Sequence, residues 1–141
     1  MSAGGAEFEP VDIVAPVFRR SALEMLKRLG GDKLVSDVID VFTANAPRLI
    51  FAARAGAEAN NGDAVARSLH SLKSSAGQLG AARMQQLCAK GEMLASHGAI
   101  AQLLPLVLDL DAAYEGARVH LDTVRRTGLD ALPIQHVAHL L

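Results

Sequence analysis

Tryptophan is absent from this chain, tyrosine occurs once, and aromatics together make up 4% of it. Any core must be filled by Leu, Val, Ile, Ala and Met, which suits helices better than sheets. Half of the residues are apolar, which excludes a disordered chain. The one cysteine, Cys88, cannot form an internal disulfide, and its isolation fits a reducing compartment. Charge of neither sign dominates: 14 Lys and Arg stand against 15 Asp and Glu. The basic excess of a nucleic-acid binder is missing. The longest apolar run, around AIAQLLPLVLDL, is interrupted and too short to span a bilayer. The opening MSAGGAEFEPVD is acidic and Gly-rich, unlike a signal peptide. A cytoplasmic protein with no nucleic-acid or membrane partner is expected. Neither GxxxxGK[ST] nor GxGxxG occurs, so there is no ATP-binding loop. Paired carboxylates, a metal cluster or an activated Ser or Cys are not visible either, which disfavours a self-sufficient enzyme.

The 141 residues suffice for one domain with a real core. Residues 1–15 read as a flexible tail. Pro16 opens a short helix, PVFRRSALEMLKRL, which Gly30 and Gly31 end. Asp32 is placed to cap a second helix, with Val35, Val38, Phe42, Leu49 and Ala53 at helical spacing. Pro47 lies inside that run and predicts a bend. ANNGD at 59–63 breaks the pattern, and Asp63 is a candidate cap for a third helix. The seam of that helix is Val65, Leu69, Leu72, Ala76 and Leu79, stepping four, three, four, three, as one face of a packed α-helix does. A fourth helix covers about 81–96, with Met84, Leu87, Gly91 and Leu94 inward. The last long helix shows Leu103, Val107, Leu110, Tyr114, Ala117, Leu121 and Val124 and stops at Thr127 and Gly128. The remainder, LDALPIQHVAHLL, is apolar enough to pack on the domain or on a partner. The fold class is all-α: an antiparallel four-helix bundle with a short additional N-terminal helix, spanning residues 16–128, with a C-terminal tail at 129–141.

The third helix carries the stretch SLHSLKSSAGQLG at 68–80. His70 falls beside the apolar seam, not in it. Lys73, Ser74 and Gly77 follow three, four and seven residues later on the same face. Beyond Lys73 this face has almost no side-chain bulk. A glycine inside a helix costs about 1 kcal/mol relative to alanine, and close approach by another molecule is one reason to keep Gly77. Imidazole, with an ordinary pKa of about 6.5, offers a nucleophilic nitrogen near neutral pH. Phosphoryl transfer needs in-line geometry and positive charge near the equatorial oxygens. Lys73 can supply that charge, and Arg67 could add to it from the preceding turn. With no ATP site in the chain, the phosphoryl group would come from another protein.

The run from His70 to Gly80 resembles the signature of histidine-containing phosphotransfer (HPt) domains, the intermediates of multistep phosphorelays. The family pattern is His, an apolar residue two on, Lys at three, small residues at four and five, Gly or another small residue at seven, and often Leu-Gly at nine and ten. The resemblance extends over about residues 17–127, including the proline in the second helix and the Leu87/Cys88…Glu92 run. It implies a four-helix bundle without its own kinase domain, a phosphocarrier and not an enzyme. In that reading His70 accepts the phosphoryl group, Lys73 steadies it and Glu92 is a possible orienting group. Ser74, Gly77 and Ile39 would belong to the surface that docks receiver domains. The implied partners are response regulator receiver domains and a hybrid histidine kinase. The chain would be a monomer without cofactor or metal, any Mg residing on the partner receiver domain. One position departs: the residue after the lysine is usually Gly in the family and is Ser74 here.

Blander readings apply elsewhere. Cys88 and the methionines suit the core. His97 and His120 suit the surface or helix ends. His136 and His139 lack a third ligand and make a poor metal signal. The competing function is a pure interaction module, the same bundle docking a receiver domain or a helical partner without transferring phosphate.

Overall fold

A computed structural model describes residues 13 and 15–131. Of the expected tail at residues 1–15, residues 1–12 and 14 lie outside the described residues, as do most of the C-terminal tail, His136 and His139. Four long helices follow one another: α1 (Arg20–Glu58), α2 (Gly62–Leu79), α3 (Ala82–Ser96) and α4 (Leu103–Thr127). Short 3₁₀ turns occupy Ile100–Gln102 and Leu129–Ala131. α1 packs on α2, α2 on α3, and α4 closes the bundle between α3 and α1. The expected all-α bundle is what forms.

The expected short N-terminal helix is the first part of α1. Gly31, at φ 73° and ψ −168°, leaves helical geometry and separates it from the long second part. That conformation is open to glycine and costly for residues with a Cβ. The helix begins at Arg20 and not at Pro16. Pro16 and Phe18 are buried, and the Arg19 amide donates to the Gly80 carbonyl at 2.6 Å. The chain before α1 is thus tied across the end of the bundle. Ala15 adds two contacts, its amide donating to Gln86 Oε1 and its carbonyl accepting from Arg83 Nε. Pro47 keeps helical backbone geometry and the helix runs through it; the interruption falls at Gly31, within the Gly30–Gly31 pair expected to end the first helix.

Two expected caps also resolve. Asn61, not Asp63, caps α2: its Oδ1 accepts from the Ala64 amide at 3.1 Å. Asp63 lies in the first turn, where its charge still favours the positive end of the helix dipole. Asp32 faces Lys27 across the kink at 3.5 Å. Gly80 ends α2 in the left-handed region at φ 82°.

The core is apolar throughout the described residues. Val65, Leu69, Leu72, Ala76 and Leu79 of α2 are all fully buried, as their spacing required. Leu103, Leu110 and Leu121 of α4 belong to the same core and are also fully buried. Each such leucine contributes about 1.5–3 kcal/mol on removal from water. Leu129, just past the expected end of the bundle, is buried too. No helix among the described residues is long and apolar enough to cross a membrane.

Candidate functional site

The seam of α2 fixes the rest of its surface. With Leu69 and Leu72 buried, His70 is rotated out toward α3, and 70% of its side chain is exposed. Lys73, one turn on, leans the same way. The α2–α3 turn at Gly80 folds α3 back antiparallel, which brings Glu92 opposite both of them.

The three side chains form a chain of charge. Glu92 Oε2 lies 3.2 Å from His70 Nδ1. Glu92 Oε1 lies 2.6 Å from the Lys73 ammonium. That Oε1 atom is shielded from solvent, and Lys73 approaches it as an ion pair rather than along a hydrogen-bond direction. Burial by itself would push the Glu92 carboxyl up. The Lys73 ammonium 2.6 Å away, with the His70 ring beside it, outweighs this and holds the carboxyl below the usual carboxylate range. Glu92 is therefore ionised at neutral pH, an acceptor facing Nδ1. In a neutral ring this assigns the proton to Nδ1 and leaves the lone pair on Nε2.

Around His70 the surface is low. Ser74 is exposed, and Ala89, at helical spacing between Gln85 and Glu92 on α3, is exposed too. Ala89 escaped the sequence analysis because nothing local marks a small residue on a helix as facing a site. Gly77 is less bare than expected. A Cβ there would lie 2.7 Å from Gln85 Nε2 and 3.3 Å from its Cδ, so the Gln85 side chain rests over the glycine. Gln85 is itself exposed, and its amide can swing out. Gly77→Ala also gains about 1 kcal/mol of helix propensity. The expected result is a melting temperature equal to the parent's or up to about 4 °C higher. A thermal melt that drops by that amount would show Gln85 locked in place.

Ile39 does not belong to this surface. It is 1% exposed and sits in the core with Val35, Phe42 and Ala46. Its position in the heptad-like stripe of α1 buries it. The edge of α1 that faces α2 is marked by Gly56, where a Cβ would touch Val65 and Ala64. Helical spacing carries that edge back through Ala52, Asn45 and Val41, all exposed.

Cys88 lies under the site and is fully buried. Burial, with Glu92 nearby, pushes its thiol up to about 12 despite the opposing charge of Lys73, so it is inert. His97 ends α3 and is exposed, as expected. His120 is structural: its ring stacks on Phe18 at 5.6 Å and its Nδ1 lies 3.0 Å from the Gly116 carbonyl. No group of three metal-ligating side chains occurs among the described residues.

The family model described as "Hpt domain" matches residues 37–120, the stretch that holds His70, Lys73 and Glu92. The chain belongs to the Hpt domain family. Hpt domains are histidine phosphotransfer modules of phosphorelays; they act as phosphocarriers and interact with receiver domains and histidine kinases. The crystal structure of histidine-containing phosphotransfer protein B (HptB) from Pseudomonas aeruginosa PAO1 is similar to this Hpt chain. The TM-score is 0.75 at 20% identity, over 79% of this chain and 96% of that one. At that identity the likeness concerns the fold. No curated protein sequence matches the chain.

Proposed function

We propose that this Hpt chain accepts a phosphoryl group on His70 from a receiver-domain aspartate and passes it to the aspartate of another response regulator. The observation that carries this reading is the pairing of an exposed ring with Glu92 at Nδ1, which leaves Nε2 as the nucleophilic nitrogen.

The Nε2 lone pair attacks the phosphorus of the partner's aspartyl phosphate. The N–P bond forms as the P–O bond to the aspartate breaks, and the aspartate leaves as a carboxylate. The ring becomes cationic, and Nδ1–H remains bonded to Glu92, whose negative charge stabilises it. Onward transfer is the reverse of this step on a second aspartate. Lys73, held by Glu92 one turn from the ring, is placed to meet the equatorial oxygens. Any Mg belongs to the receiver domain in this reading, and the Hpt chain acts as a monomer without cofactor. Docking uses the low ground of Ser74, Gly77 and Ala89 and the exposed edge of α1.

Lys73→Ala is expected to slow transfer from a phosphorylated receiver domain by about 10²-fold, the usual scale for losing one charge-stabilising group. Rapid-quench transfer kinetics read this directly; a rate within twofold of the parent would remove Lys73 from the mechanism. The competing reading, docking without transfer, predicts receiver binding with no label on His70. Incubation with labelled phospho-receiver domains, followed by an assay for acid-labile, base-stable label, decides between the two.

A further inference from the structure

Glu92 faces His70 across the contact of α2 with α3. Seven residues on from His70 along α2 is Gly77, and seven back from Glu92 along α3 is Gln85. The two facing pairs stand in one antiparallel register, two helical turns apart. Gln85 occupies the space that a Cβ on Gly77 would need: its Nε2 lies 2.7 Å from that position and its Oε1 3.7 Å. An alanine at 77 would push the amide out of this seat. Between the two pairs lie Ser74 and Ala89, both small and exposed.

Gln85 is itself exposed, and among the described residues its side chain makes no hydrogen bond. Its carboxamide has two donors and an acceptor to offer another molecule.

We propose that Gln85 is a specificity-determining residue for receiver docking: its carboxamide hydrogen-bonds a polar group that the receiver domain presents about 11 Å, two helical turns, from the transferred phosphoryl group. This rests on the phosphotransfer reading for the position of the receiver, whose aspartate meets His70. A receiver that offers a backbone carbonyl or amide, a hydroxyl or a carboxamide at that distance is favoured. One that offers an apolar side chain is disfavoured.

Reach decides that Gln85 is covered. A specific interface takes about 800 Å² from each partner, a disc of roughly 16 Å radius. Centred on His70, that disc extends past Gln85. Once covered, the carboxamide is cut off from water. Facing a polar group it exchanges one hydrogen bond for another; facing an apolar one it is left unsatisfied, which lowers affinity about tenfold or more. Gly77 serves the docking surface through this contact, by letting Gln85 lie flat against α2.

The test is calorimetry of the full chain against a panel of receiver domains, with Gln85→Ala, Gly77→Ala and the double variant. Uptake of label is followed from the same domains charged with radiolabelled acetyl phosphate. For the receiver that the parent binds best, Gln85→Ala should weaken binding about tenfold. Gly77→Ala, which displaces the amide, should weaken it by a similar factor and add less than about twofold when Gln85 is already alanine. Receivers that bind the parent poorly should change less, so the spread of affinities narrows. In transfer the change should fall on KM and not on the maximal rate. Affinities for the whole panel within about twofold of the parent's in Gln85→Ala would overturn the proposal. Tighter binding throughout would do so too, since the amide would then be an obstacle and not a contact. Equal losses from Gly77→Ala with and without Gln85 would also overturn it, by giving the contact to Gly77. A parent that loses affinity with Gln85 yet takes no label on His70 would sink the phosphotransfer reading and leave the docking contact standing.

Discussion

His70→Gln is expected to abolish phosphoryl uptake outright while leaving receiver binding at the parent's affinity. Glutamine has no ring nitrogen to carry the N–P bond, so no residual rate remains to be measured on this site. The fold should not notice the change. His70 projects 70% of its side chain into solvent and contributes nothing to the apolar seam, and exposed substitutions of this kind move stability by about 0.5 kcal/mol or less. Glu92 keeps Lys73 as its partner at 2.6 Å, so its buried Oε1 is not left uncompensated. Two measurements are needed together: label retained after base treatment, and receiver affinity by calorimetry. Label on the variant equal to the parent's would move the phosphoacceptor elsewhere. Loss of both label and binding would mean that the ring itself is a docking contact.

Gly80→Ala is expected to have the largest effect on stability of any single methyl added to this chain. Gly80 has φ 82°, and an L-residue in that region costs about 1–2 kcal/mol. The added Cβ would also lie 2.0 Å from the Arg19 carbonyl oxygen and 3.1 Å from its carbon. Those are backbone atoms and cannot rotate away. The segment before α1 would have to lift, weakening the bond from the Arg19 amide to the Gly80 carbonyl, worth about 0.5–1.5 kcal/mol. A total loss of about 1.5–3.5 kcal/mol follows from these contributions. Urea denaturation should show it as a lower midpoint at unchanged slope. A midpoint equal to the parent's would mean that the tie across the bundle end is weak in solution. Because the segment that gives way lies before α1 and away from His70, uptake of label on His70 should fall in step with the folded fraction and no further.

The apolar seams were legible in the sequence because burial follows from local periodicity. Val65 through Leu79 are buried as their four-three spacing required, and the exposure of His70 follows from the same count. Where one-dimensional reading went wrong, a longer-range contact or a finer local choice intervened. Ile39 was assigned to the surface, yet it falls on the stripe shared by Val35 and Phe42. Pro16 looked like a helix start, but the Arg19–Gly80 bond holds that stretch extended across the bundle end. Asn61 and Asp63 are both able to cap a helix, and only the backbone path at 59–63 selected Asn61.

By itself, then, the order of residues determined that four helices form, which stripe of each turns inward, and that an imidazole and an ammonium stand together on a bare outer face. Only tertiary structure decided that a carboxylate twenty-two positions past the imidazole meets both at 3.2 Å and 2.6 Å, and that Gln85 covers Gly77. The physical reason is that helical periodicity is a property of neighbours along the chain. Which side chains face one another across two helices depends on the turn that joins them, and the spacing within either helix does not contain it.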